Sequence, residues 1–165
     1  MSDHDETYQL GVLLEVRERE QAEAEEALAL EQKELRRSLR AVDAAQQARD
    51  EATRRVARER RAMDERIASG TAGVAELAMF DGFMRGLRED VADAQGAIEG
   101  ALERARQREA EVGRAQVALA QAVRALEAVR QHERKWKAER DVVARRRESS
   151  AMDDIAARIW REKNS

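Results

Sequence analysis

Apolar side chains recur at every seventh position through the second half of the chain: Leu77, Met84, Val91, Ile98, Ala105, Val112, Leu119 and Leu126. A companion row follows three residues later: Phe80, Leu87, Ala94, Ala101, Arg108, Ala115, Ala122, Val129, Trp136 and Val143, broken only by Arg108. These are the a and d positions of a heptad repeat, and they predict a long helix whose narrow apolar stripe must be covered by another helix. The first half carries a thinner version. Its seventh-residue row is Leu14, Gln21, Leu28, Leu35, Val42, Arg49, Val56 and Met63, and its companion row reads Gln32, Leu39, Gln46, Thr53, Arg60 and Ile67. That companion row is mostly polar, with Ala24, Ala45, Ala48 and Ala52 filling in, so looser pairing is expected there.

One break separates the two patterns. Residues 68–75 read Ala-Ser-Gly-Thr-Ala-Gly-Val-Ala. Gly70 and Gly73 suit a helix C-cap and a turn, and Thr71 suits an N-cap. The pattern therefore predicts helix 1 over about 5–67, a turn over about 68–75 and helix 2 over about 75–162. A short turn between two long amphipathic helices gives an antiparallel hairpin. The expected fold class is all-α, a single coiled-coil hairpin of two long helices with a protruding C-terminal helix end. Residue n should meet roughly residue 143 minus n, along a pairing of about 90 Å. A parallel dimer of one continuous helix is the alternative, and the glycine break disfavours it. Gly82, Gly86, Gly96, Gly100 and Gly113 fall at outward b, c and f positions, as tolerated surface sites or as a bendable segment.

Composition agrees with this picture. Of the 165 residues, 39% are charged and 3% aromatic, too few large apolar groups for a wide core but enough for a two-helix seam. Net charge is only -3 and the apolar positions are periodic, which excludes a disordered chain. No proline interrupts the helices, and no cysteine offers a disulfide or a thiolate ligand. The N-terminus, Met1 to Glu6, is acidic without an apolar signal core, and no apolar run reaches membrane-spanning length. A cytoplasmic protein without direct membrane insertion is expected. Residues 1–34 carry 11 acidic and 3 basic side chains, whereas residues 130–147 carry 3 acidic and 8 basic ones. The acidic start should meet the basic segment if the two ends lie side by side.

Candidate chemistry is sparse. His4 and His132 are the only histidines, and His132 reads as a solvated surface residue. No carboxylate sits in an apolar pattern that would raise its pKa, and no glycine-rich loop follows a strand. The sequence therefore predicts no catalytic residue, metal site or cofactor, and no enzyme. Arg145-Arg146-Arg147 and Arg134-Lys135-Trp136-Lys137 are basic, but the acidic net charge and scarcity of aromatics argue against nucleic acid.

Two segments stand out as binding surfaces. Glu76 to Leu87 holds both phenylalanines of the chain. Leu77, Phe80, Met84 and Leu87 are seam positions, whereas Met79 and Phe83 fall at outward c and g positions. Such a cluster is either a binding patch or a plug closing the hairpin end. In the tail, Met152, Ile155, Ala156, Ile159 and Trp160 form a helical stripe that does not continue the seam. That stripe either needs a partner or folds back on Tyr8, Leu10, Leu13 and Leu14. Ser149-Ser150 is a candidate cap or hinge before it.

An acidic start, about sixty residues of helix, one glycine turn and a longer basic second helix resemble the FliJ/YscO central-stalk proteins of type III secretion and flagellar export. Phe80, Phe83 and Leu87 match the aromatic, phenylalanine and leucine that follow the turn in flagellar members. The resemblance implies a hairpin like the rotor subunit of a rotary ATPase. Its termini end would enter a hexameric secretion ATPase and promote its activity, with Leu10, Leu14, Met152, Ile155, Ile159 and Trp160 on that side. Its turn end, with Met79, Phe80, Phe83 and Leu87, would meet the cytoplasmic linker of the inner-membrane export gate. Some members also handle export chaperones. The glycines at 82 and 86 and the short tail after Trp160 depart from the family pattern. The alternative is a generic coiled-coil adaptor or scaffold, or a chaperone-binding protein, without an ATPase partner.

Overall fold

A computed structural model of the protein describes residues 8–165. Two helices account for nearly all of them: α1 (Gly11–Ala68) and α2 (Val74–Lys163). No strand occurs among the described residues. Expected pairings recur along the hairpin: Arg66 with Glu76, Arg49 with Gln95, and Tyr8 with His132 and Trp136 all lie close to n against 143 minus n.

The turn shows why the chain reverses here. Gly70 adopts φ +73, a left-handed conformation that a Cβ would strain. The Gly70 amide donates to the Ile67 carbonyl (3.1 Å) and the Thr71 amide to that of Arg66 (3.0 Å). This is a Schellman ending, with Gly70 at C′ satisfying two of the last free carbonyls of α1. The start of α2 differs from expectation. The Leu77 amide donates to the Gly73 carbonyl, which makes Gly73, not Thr71, the N-cap. Glu76 reaches back to the Gly73 amide as in a capping box, and it also pairs with Arg66. The Thr71 hydroxyl is drawn away because it donates to the Arg66 carbonyl.

The other end of α1 also begins later than the pattern predicts. Of the expected first turns, residues 5–7 lie outside the described residues, but the acidic start does meet the basic segment where both are described: the Arg130 guanidinium lies 3.5 Å from a Glu18 carboxylate oxygen. Tyr8–Leu10 precede the helix, the last two in a turn, and the Gly11 amide donates to the Tyr8 carbonyl at 2.9 Å.

The hairpin packs as two compact units. The turn unit is Ala27–Gln116; the termini unit is Met1–Glu26 with Val117–Ser165. In the turn unit the a and d rows of α2 are buried as predicted at Met84, Leu87, Ile98, Ala101, Ala105 and Val112. Val42 of α1 forms a cluster with Ala101 and Ala105, and Ala45 packs against it. Arg108, the break in the d row, is half out of the seam, and its guanidinium lies 3.6 Å from Glu31. Glu31 Oε2 is buried without a hydrogen bond among the described residues, so Arg108 supplies the compensating charge.

The companion row of α1 is corrected by the structure. Leu39, Gln46, Thr53, Arg60 and Ile67 are exposed, and of the expected row only Gln32 is half-buried. The half-buried row lies one residue earlier, at Arg17, Ala24, Glu31, Ser38, Ala45, Ala52 and Glu59. The physical reason is the step. Three residues after an a position lies d on the stripe, whereas four residues after lies e on its margin. Leu39 and Ile67 drew the row to the margin by their apolarity, while the seam of α1 uses small and polar residues.

In the termini unit the seam is formed by Leu126 and Val129 and ends at Trp136. Val143, the last predicted d residue, is exposed, as is every residue from 137 to 165. The helix nonetheless runs without interruption through Ser149 and Ser150, which therefore form neither a cap nor a hinge.

Candidate functional site

Tyr8 closes the seam at the termini end. Its ring lies 5.3 Å from that of Trp136 and 5.8 Å from that of His132, and the Arg140 guanidinium lies over the Trp136 ring, 4.9 Å from its centroid. The Tyr8 hydroxyl has one proton and two neighbours: the Val129 carbonyl at 3.3 Å and His132 Nδ1 at 2.9 Å. Both bonds form together when the hydroxyl donates to the carbonyl and accepts from an Nδ1–H of His132. Burial, with the Glu133 charge adding to it, holds the phenol above its ordinary pKa, so it remains a donor at neutral pH. His132 is thus exposed, as expected, but tied to Tyr8. The sequence reading missed this latch. Its signal was the sole tyrosine of the chain, near the predicted partner of a tryptophan in the d row.

The tail stripe is uncovered. Met152, Ile155, Ile159 and Trp160 are all exposed, from 49% at Ile159 to 67% at Trp160. The fold-back on Tyr8, Leu10, Leu13 and Leu14 does not occur. Tyr8 is engaged by Trp136 instead, and Leu10, Leu13 and Leu14 are half-buried near the start of α1. Helical geometry gives the reason. Counting at 3.6 residues per turn from Trp136, the stripe centred on Met152 and Ile159 falls on the far side of α2 from the seam. No extension of α1 along the seam could reach it.

At the turn end the predicted cluster divides. Met79 (77%) and Phe83 (44%) present outward surface. Phe80 is half-buried with its ring 6.4 Å from that of Phe83, and Leu87 (5%) packs inside the seam. The outward surface is therefore made by Met79 and Phe83, with Val74 and Leu77 beside the turn. A cleft of about 710 Å³ opens between the helices next to it. Met63, Ile67, Leu77, Phe80 and Met84 line it together with Arg60, Asp64, Asp81 and Arg88, and its accessible lining is more polar than apolar. Each unit thus carries an apolar surface of its own.

The YscO-like protein family model matches residues 5–164. The chain belongs to the YscO-like family. Its fold is also that of a candidate YscO homolog, CT670, from Chlamydia trachomatis. The two structures agree with a TM-score of 0.77 at 19% sequence identity, over 90% of this chain and 91% of that chain. At that identity the likeness is one of fold. No curated protein matches the sequence. Membership of the YscO-like family supports a type III secretion stalk-type protein. Among the described residues of this YscO-like chain, no helix is long and apolar enough to cross a membrane.

Proposed function

We propose that this YscO-like chain is the nonenzymatic central stalk of a type III secretion export ATPase, working in the cytoplasm beside the inner-membrane apparatus. Its termini end enters the ATPase hexamer and promotes ATP hydrolysis, and its turn end contacts the export gate. The observation that carries the reading is the bare stripe of Met152, Ile155, Ile159 and Trp160 on a fully formed helix that has outrun the seam. Family membership supports the choice of an ATPase as the protein that covers it. Met79 and Phe83, in the turn unit, supply a second contact. A helix buried in one partner and held by a second at its other end can pass torque or asymmetry between them.

Sedimentation of the purified chain with the cognate ATPase tests this. Co-sedimentation, a raised hydrolysis rate, and loss of both on removing residues 150–165 are the expected results. A stable dimer that ignores the ATPase would leave a generic coiled-coil scaffold as the better account.

A further inference from the structure

We propose that the C-terminal part of α2, residues 134–163, is an interfacial helix that lies on anionic phospholipid surfaces. This face includes the stripe proposed above to enter the ATPase, so lipid and ATPase would hold it at different times; the lipid contact stands on the chemistry of the face and does not require the ATPase reading. The chain as a whole has a net charge of -3, yet residues 134–163 hold ten basic and six acidic side chains. From residue 137 onward every one of these side chains is exposed. Counted from Trp136, the apolar residues Met152, Ile155 and Ile159 share the outward face with Arg134, Arg145 and Lys163. Cations therefore stand on the stripe's own line before and after it. Arg134 is paired with Glu127 at 2.7 Å, and Asp141 and Glu148 are the acids on this face. Arg145-Arg146-Arg147 adds a dense basic run one turn before the stripe.

This arrangement matches what a headgroup layer demands. Two isoleucines and a methionine can sink to the acyl boundary. Trp160, at the edge of the stripe, sits where an amphipathic ring is best accommodated. Arginine and lysine stems on the same line can bend back to the phosphates. Two apolar turns alone bind a bilayer only marginally, and a neighbouring basic run is the second attraction that makes adsorption stable. A second copy of the helix fits less well. In a parallel pair built on Met152, Ile155 and Ile159, Arg158 would face Lys163 of the other copy, like charge against like. The helix lies on the surface and does not span it, in keeping with the lack of a spanning segment among the described residues.

The test is co-sedimentation of the full chain, with no ATPase present, with vesicles of phosphatidylglycerol and phosphatidylcholine or of phosphatidylcholine alone. The chain should pellet with the anionic vesicles only, and less so as salt is raised. Ile155→Asp with Ile159→Asp should weaken binding at least about tenfold, because it removes the apolar contribution. Replacing Arg145, Arg146 and Arg147 by glutamine should weaken binding to anionic vesicles as well. Circular dichroism should show the parent's helicity in both variants, since none of these side chains is packed. Three results would overturn the proposal: no pelleting with anionic vesicles at low salt, equal binding by the double aspartate variant, or a concentration-dependent dimer that the aspartates abolish without any vesicle binding.

Discussion

The turn unit and the termini unit are built from the same heptad, yet they end differently. In the turn unit every predicted d position of α2 from Phe80 to Ala101 is at least partly covered, and the hairpin closes on a capped glycine turn. In the termini unit the seam stops at an aromatic latch, and α2 continues for more than twenty residues without cover. A heptad row thus specifies where a helix can be paired. What decides how far it is paired is the length of the opposing helix and the side on which the next apolar stripe falls.

The largest expected effect tests whether the seam is equally tight in both units. Ile98→Ala in the turn unit and Leu126→Ala in the termini unit each remove a nearly buried side chain. Each should cost about 2–4 kcal/mol in thermal or denaturant unfolding. A much smaller loss at Leu126 would mean that the termini unit is held mainly by its latch. Tyr8→Ala should come next, at roughly 1–3 kcal/mol of local stability, for the loss of ring packing and two hydrogen bonds. Hydrogen exchange should then quicken over the first turns of α1 while amides around Ile98 keep their protection. Exchange that rises equally in both units would show that the latch supports the whole hairpin.

Gly70→Ala should cost about 1 kcal/mol, because alanine resists the positive φ of the C′ position. Phe83→Ala should change the melting behaviour by no more than about 0.5 kcal/mol, since the side chain lies on the surface. A large loss there would place Phe83 in the packing of the turn unit rather than on its outside. The smallest effect is electrostatic and spread over both units. Hydrogen bonds from Arg58 and Arg54 hold Glu51 below the usual carboxylate range, Arg114 does so for Glu111, and Arg134 for Glu127. Carboxyls depressed in the folded state stabilise it fully above the ordinary carboxylate pKa and lose that contribution as pH falls through the folded values. A slight drop in helicity on acidification, smaller in Glu51→Gln because only Glu111 and Glu127 then contribute, would register it.

Much of this was legible in the residues themselves. The seam of α2 could be read position by position because its a row is large and apolar without a gap, and the glycine turn because φ above zero favours few other residues. The register of α1 was harder. Its d row is built of alanine, serine, glutamate and arginine, and an exposed Leu39 outweighs a half-buried Ser38 in any hydrophobic pattern. The latch was hidden for another reason: a lone tyrosine outside the helices has no periodicity, and only the fold brings it to Trp136. The tail stripe was visible, but its side of the helix follows from the unbroken passage through Ser149 and Ser150, which the serines themselves argued against.

The compact glycine turn has a consequence for the order in which the molecule assembles. Because the connection between the helices is short, the first contacts across it, Arg66 with Glu76 and Met63 near Met84, close only a small loop and cost little chain entropy. Pairing can then advance one heptad at a time, each step local to the last, so the hairpin zips from the turn toward its ends. During synthesis α1 must wait, its stripe unpaired, until the first turns of α2 emerge. Tyr8 would meet Trp136 last, because that contact closes the longest loop of those named.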